Sequence, residues 1–198
     1  MSRLIGWEKW TELSENERLR KLSVYPLNEN SVVYDVGGYL GIWAAEIVVR
    51  YNPNLVIFEP ISEFYESLRE KFVGNSKITV HPVGLSDHSS VTNINKCEDA
   101  TSLYTDTGAK EEIRIVDVLE FNRELDLMSI NCEGSEYPLL LRMLQIGMVE
   151  KCKSVQVQFH EFYPNAPALR QEIRSKLEQT HEEMYCFPYV WESWRRKA

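Results

Sequence analysis

Cysteine is sparse and scattered. Cys97, Cys132, Cys152 and Cys186 include no Cys-x-x-Cys pair, so neither a disulfide framework nor a zinc knuckle is expected, and four free thiols fit a reducing compartment. Long apolar runs are missing as well. The longest stretch without Asp, Glu, Lys or Arg, Val36 to Ala45, is ten residues, whereas a membrane-spanning helix needs roughly 20 mostly apolar ones. The first residues, Met1 to Trp10, acquire charge before an apolar core can form, so neither a signal peptide nor a transit peptide is expected and the cytoplasm is the default location. Positive charge is in deficit: 22 Lys and Arg stand against 30 Asp and Glu, a formal net charge of −8. Affinity for nucleic acid comes largely from Lys and Arg releasing counterions. No nucleic-acid partner and no membrane partner are therefore expected, although Arg195-Arg196-Lys197 forms a small basic patch. Repeats and low-complexity segments are absent. What is present, 43% hydrophobic and 26% charged residues over 198 positions, is the composition of a single soluble domain.

The elements alternate. Trp7, Trp10 and Leu13 recur at helical spacing, and Ser14-x-x-Glu17 is a capping box leading into Leu19 and Leu22, so residues 1–30 read as a helical lead-in of two short helices. From residue 31 to 198 the pattern is one domain. Val32 to Val36 is a β-rich run closed by Gly37-Gly38, Ile42 to Tyr51 is a helix, Leu55 to Phe58 a strand, and Phe64, Leu68 and Phe72 mark a second helix before a strand at Ile78 to Val83. Ser90 to Asn95 and Ile113 to Val116 predict an antiparallel excursion around a flexible loop from Ala100 to Gly108. Strands at Leu125 to Ile130 and Ser154 to Phe159 follow, with a helix from Ser135 between them, a helix capped at Asn165 after them, and an aromatic β tail from Met184 to Trp194. Continuous apolar strands separated by amphipathic helices predict an α/β, doubly wound, mostly parallel sheet.

In such sheets ligands bind beyond the carboxyl ends of the strands. The first of these loops, Asp35-Val36-Gly37-Gly38-Tyr39-Leu40-Gly41, is Asp-x-Gly-x-x-x-Gly. A dinucleotide fingerprint would need glycine where Tyr39 or Leu40 stands. The acid before the glycines repels a pyrophosphate and favours a cation such as the ammonium and sulfonium of S-adenosylmethionine. The second strand ends in Phe58-Glu59-Pro60, where an acid can accept both ribose hydroxyls. Each feature alone reads as a tight turn or a helix-start charge; their occurrence at adjacent strand ends favours a cofactor site.

Five segments in order, Val33 to Gly41, Phe58 to Pro60, Val83 to Asp87, Val116 to Leu119 and Leu125 to Glu136, resemble the FkbM-type methyltransferases, S-adenosylmethionine-dependent enzymes with a Rossmann-like class I fold. The resemblance covers residues 31–145. It implies that Asp35, Gly37 and Gly41, with Gly38 and Tyr39 between them, shape the methionine pocket, that Glu59 with Pro60 holds the ribose, and that Ser86 and Asp87 lie near the adenine. The family's Lys-Ile-Asp-x-Glu-Gly reads Ser129-Ile130-Asn131-Cys132-Glu133-Gly134 here, so the acid expected at that strand end is replaced by Asn131. Asn131 is left to hydrogen-bond the methionine moiety or a substrate hydroxyl.

Catalysis is expected beyond the last parallel strand. Gln156, Gln158 and His160 alternate with Val155, Val157 and Phe159 and share one face if the strand continues, although an edge strand facing water shows the same pattern. His160 is the expected general base, since an imidazole of ordinary pKa ~6.5 suits proton removal near neutrality. Asn131 and Glu133 complete the catalytic set, with Glu133 and Glu136 also read as charges at a helix start. No spacing demands a metal, and none is assigned. The expected function is methyl transfer from S-adenosylmethionine to a hydroxyl of a sugar or glycosylated small molecule, with a small-molecule or glycan acceptor as partner. A nicotinamide-dependent oxidoreductase and a non-catalytic S-adenosylmethionine-binding module are the rivals.

Overall fold

The computed structural model describes residues 3–96 and 109–198. The Ala100–Gly108 loop and Cys97 lie outside the described residues. The chain begins with α1 (Arg3–Glu12) and α2 (Glu15–Ser23). The capping box forms: Ser14 Oγ accepts from the Glu17 N–H at 3.3 Å, and the Glu17 carboxylate accepts from the Ser14 N–H at 2.8 Å. α1 docks through Gly6, where an added Cβ would meet the Pro188 carbonyl at 2.1 Å, and through Trp10, edge-on to Phe187.

The main sheet contains β1 (Val32–Val36), β2 (Asn54–Phe58), β3 (Ile78–His81), β7 (Leu127–Ile130), β8 (Ser154–Val157), β9 (His181–Phe187) and β10 (Trp191–Arg196). Their order is β3-β2-β1-β7-β8-β10-β9, with the first five parallel and the aromatic tail added as an antiparallel hairpin. Helices α3 (Ile42–Tyr51), α4 (Ser62–Lys71), α5 (Glu136–Gln145) and α6 (Ala166–Thr180) cover both faces. Alternation along β1 shows why. Val33 packs with Ala44, Ile47, Leu68 and Leu127 on one side, while Tyr34 and Val36 pack with Met128, Leu140 and Ile173 on the other. The antiparallel excursion is a separate three-stranded sheet of β4 (Gly84–Ser86), β6 (Ala109–Asp117) and β5 (Ser90–Lys96), in which β5 runs antiparallel to β6 and β4 parallel to it.

Two details differ from expectation. β8 is no edge strand, because β7 and β10 flank it, and it ends at Val157. Gln156 is consequently fully buried, its amide N–H2 placed to donate to the Tyr25 hydroxyl and the Leu22 carbonyl and its amide oxygen to accept from the Ser129 hydroxyl and the Trp43 indole N–H, so it holds the lead-in against the sheet rather than facing a ligand with His160. Asn165 does occupy the N-cap of α6, but in a left-handed conformation and without a side-chain cap.

Candidate active site

Strand order reverses between β1 and β7, and in open α/β sheets such a reversal opens a crevice beyond the carboxyl ends. Gly37 turns away from β1 at φ +88° with its Cα against the Asn131 carbonyl, and the Gly37 and Gly38 N–H groups both donate to the Phe58 carbonyl. Gly41, left-handed at φ +70°, is the N-cap of α3. Glu59 ties this loop to the next one: one carboxylate oxygen accepts from the Tyr39 N–H at 2.8 Å and the other from the Ile61 N–H at 2.9 Å. Pro60 packs near Gly84 at the start of β4. Ser86 donates to Asp87, which also contacts the His88 ring at 2.7 Å. Burial works against the charge of Asp87, but His88 and Ser86 hold its carboxyl below the usual range.

The β1 and β2 strand ends carry buried acids. Asp35 and Glu59 are both buried. Burial, and then the charge of Glu59, push the Asp35 carboxyl well above its ordinary range. Burial raises Glu59 too, opposed by its two backbone N–H partners and reinforced by Glu111. At the neighbouring strand end the Asn131 Oδ1 atom is buried without a hydrogen-bond partner among the described residues. Two desolvated carboxylates and an orphaned acceptor call for a ligand that brings positive charge and donors. A groove of about 550 Å³ lined by Phe72, Val73, Asn75 and Ile78 lies off the β3 edge, away from these strand ends.

At the β7 and β8 ends, His160 is buried between two carboxylates. Its Nδ1 lies 3.0 Å from Glu136 and its Nε2 3.4 Å from Glu133. Burial lowers its pKa, but the hydrogen bonds and charges of Glu133 and Glu136 outweigh burial and raise it to about 9. The ionisation expected near neutrality is therefore displaced upward. Cys132 lies against the glycine turn, 3.5 Å from where a Gly37 Cβ would stand, and its thiol is raised by burial and then by the charges of Glu136, Glu133 and Glu59.

Sequence reasoning missed two carboxylates. Glu136 does open α5, but it is 0% exposed and accepts from the Gly134 and His160 N–H groups. Its spacing from Leu140 and Met143 put it on the buried stripe of α5, a signal that was available. Glu111 has the parity of Ile113 and Ile115 in β6, and its carboxylate accepts from the Ser62 N–H and hydroxyl at the start of α4.

A class I methyltransferase fold and a cation-seeking crevice are thus in place. The model of the methyltransferase FkbM domain matches residues 35–183, and the chain belongs to that family. No curated protein matches. Similar solved structures include 23S rRNA methyltransferase ErmE, at 13% identity over 94% of this chain and 70% of that one, TM-score 0.53. Another is precorrin-6y C5,15-methyltransferase from Geobacter metallireducens GS-15, at 12% identity, 94% and 90% coverage, TM-score 0.52. A third is a putative rRNA-methylase from Clostridium thermocellum, at 7% identity, 92% and 96% coverage, TM-score 0.54.

Family and fold identify the cofactor as S-adenosylmethionine. The residues present fit it, since Asp35 and Glu59 are buried acids whose charge its ammonium and sulfonium would offset, and the Asn131 Oδ1 has no hydrogen-bond donor among the described residues. The expectation of a small-molecule or glycan partner to the exclusion of nucleic acid is corrected: the same fold serves proteins described as acting on rRNA. Net charge is a sum over the whole chain, whereas phosphates meet one local surface. Among the described residues no helix is long and apolar enough to cross a membrane.

Glu59→Gln should weaken S-adenosylmethionine binding by about 1 to 3 kcal/mol, the range for hydrogen bonds to a charged acceptor. Glutamine is the informative change because alanine would also release the Tyr39 and Ile61 N–H groups. Calorimetry reads it, and unchanged affinity would leave Glu59 the single role of tying the two loops.

Proposed function

We propose that this chain transfers a methyl group from S-adenosylmethionine to a hydroxyl oxygen on a sugar ring. The observation that carries this is that the Gly37 turn beyond buried Asp35 packs against Asn131 and Cys132, which lead directly into Glu133, whose carboxylate lies 3.4 Å from His160 Nε2. The cofactor supplies a methyl group on a positively charged sulfur that leaves as a neutral thioether. The remaining tasks are alignment and removal of the hydroxyl proton. Asp35 and the Gly37–Gly41 loop hold the methionine end, Glu59 with Pro60 the ribose, and Ser86 with Asp87 the adenine side. Asn131 offers its Oδ1, which has no partner among the described residues, to a donor of cofactor or acceptor. Asn131 and Glu133 face the acceptor side, with His160 against Glu133. Residues 1–30 form a lead-in to the catalytic domain, and the Arg3 backbone N–H reaches the carboxylate of Glu161, next to His160. The free thiols of Cys132, Cys152 and Cys186 support a reducing, cytoplasmic setting.

S-adenosylmethionine and S-adenosylhomocysteine should raise the melting temperature, because a ligand that binds only the native state adds RT ln(1 + [L]/Kd), about 2.7 kcal/mol at a hundred times Kd. Nicotinamide dinucleotides should leave it unchanged, and a larger shift with NAD would overturn the assignment. Methyl transfer is then assayed on glycosides and on RNA oligonucleotides, both of which present sugar hydroxyls. Binding without transfer to any hydroxyl would return the chain to a non-catalytic module.

A further inference from the structure

On the basis of that function, we infer that Glu133 takes the proton of the acceptor hydroxyl and that His160, clasped between Glu133 and Glu136, is a positioning residue behind it. The geometry excludes the simpler assignment to His160. Both of its ring nitrogens face carboxylates, Nδ1 toward Glu136 at 3.0 Å and Nε2 toward Glu133 at 3.4 Å, and its side chain is 7% exposed. No ring nitrogen remains to meet a hydroxyl. Glu136 is sealed as well: fully buried, it already accepts from the Gly134 N–H at 2.8 Å and the His160 N–H at 2.7 Å. Glu133 differs. Its side chain is 28% exposed, on a backbone held left-handed at φ +51°.

Among the described residues the charged groups facing the ring are these two carboxylates, Glu133 from the β7–α5 connection and Glu136 from the first turn of α5. From α5 the Tyr137 hydroxyl donates to the His160 carbonyl, and from the β8–α6 connection the Phe162 ring lies against the imidazole at 5.2 Å. With its pKa raised to about 9, His160 keeps both N–H groups at neutral pH and holds the Glu133 carboxylate from behind. In the reaction the acceptor oxygen bonds the methyl carbon, the carbon–sulfur bond breaks to leave a neutral thioether, and the hydroxyl proton passes to Glu133, which becomes a carboxylic acid. Two carboxylates and one imidazolium carry a net charge of −1 opposite the sulfonium, and the step removes both charges. A desolvated site favours such a reaction, because separated opposite charges are costlier there than in water.

The test pairs a titration that needs no turnover with a rate profile. Histidine-labelled NMR on the full chain should show His160 titrating near pH 9 and moving downward in Glu133→Gln. Wild-type kcat should be level across neutral pH and fall as the pH passes about 9, where the clasp loses its proton. Glu133→Gln should lower kcat about 10²- to 10⁴-fold with cofactor affinity retained, and Glu133→Asp, which keeps a carboxylate, should recover part of that loss. A His160 midpoint near 6.5 would overturn the clasp. A wild-type kcat that climbs through pH 9, with Glu133→Gln as fast as wild type, would overturn the role of Glu133 and return the base to His160. A midpoint near 9 without transfer to any hydroxyl would overturn the parent function while leaving the clasp measured.

Discussion

Gly37→Ala is expected to destabilise the chain by about 2 to 5 kcal/mol, against about 1 for Gly74→Ala. The two glycines share a φ of +88°. A Cβ in that region is strained at either position, so backbone preference cannot separate them. Surroundings do. Around Gly74 nothing lies within 4 Å of an added Cβ, whereas at Gly37 it would stand 1.9 Å from the Asn131 carbonyl oxygen and 2.9 Å from its carbon. These are backbone atoms of the neighbouring strand end and cannot rotate away. The Asn131 N–H donates to the Val36 carbonyl, so relieving the clash pulls apart the β1 and β7 ends that frame the crevice. S-adenosylmethionine affinity should fall with stability in Gly37→Ala and stay constant in Gly74→Ala. Denaturant unfolding and calorimetry on both variants read the contrast; equal losses would mean that φ alone explains Gly37.

The parallel part of this architecture was legible because strands buried on both faces cannot alternate, and Val33, Leu55, Ile57, Leu127 and Val155 obey that rule. The Asp35 and Glu59 positions were legible for the same reason, since each acid directly precedes or follows a strand end. The acceptor side was harder to read. Period two placed Gln156, Gln158 and His160 together, but β8 ends at Val157 and Gln156 belongs to a network with Ser129, Tyr25 and Trp43 that only the folded lead-in completes. Glu136 shows the opposite failure. Its place at the start of α5 and on the helix's apolar stripe was visible, yet its burial was not, because the donors that satisfy it come from Gly134 and from His160, 24 residues away. The exclusion of nucleic acid failed because it took a sum over the chain for a property of one face.

Glu136→Ala should be among the most destabilising single changes in the domain, by about 3 to 5 kcal/mol, the range for removing one partner of a buried ion pair. The loss is compound: the Gly134 and His160 N–H groups become buried donors without acceptors, and the imidazole loses one of its two carboxylates. Its pH dependence distinguishes the electrostatic part from the packing part. The His160 pKa is raised from 6.5 to about 9 in the folded chain, so its contribution is fully present below pH 6.5 and is lost as the pH rises through about 9. In magnitude that contribution is about 3 kcal/mol. Cys132 acts in the same sense, because the charge of Glu136 helps to keep its thiol from ionising in the folded state at alkaline pH. The stability gap between wild type and Glu136→Ala should therefore be widest below pH 6.5 and narrow markedly above about 9. A gap independent of pH across that window, measured by urea unfolding, would show that Glu136 supports the β7–α5 connection through its backbone hydrogen bonds alone and that the clasp on His160 carries no free energy.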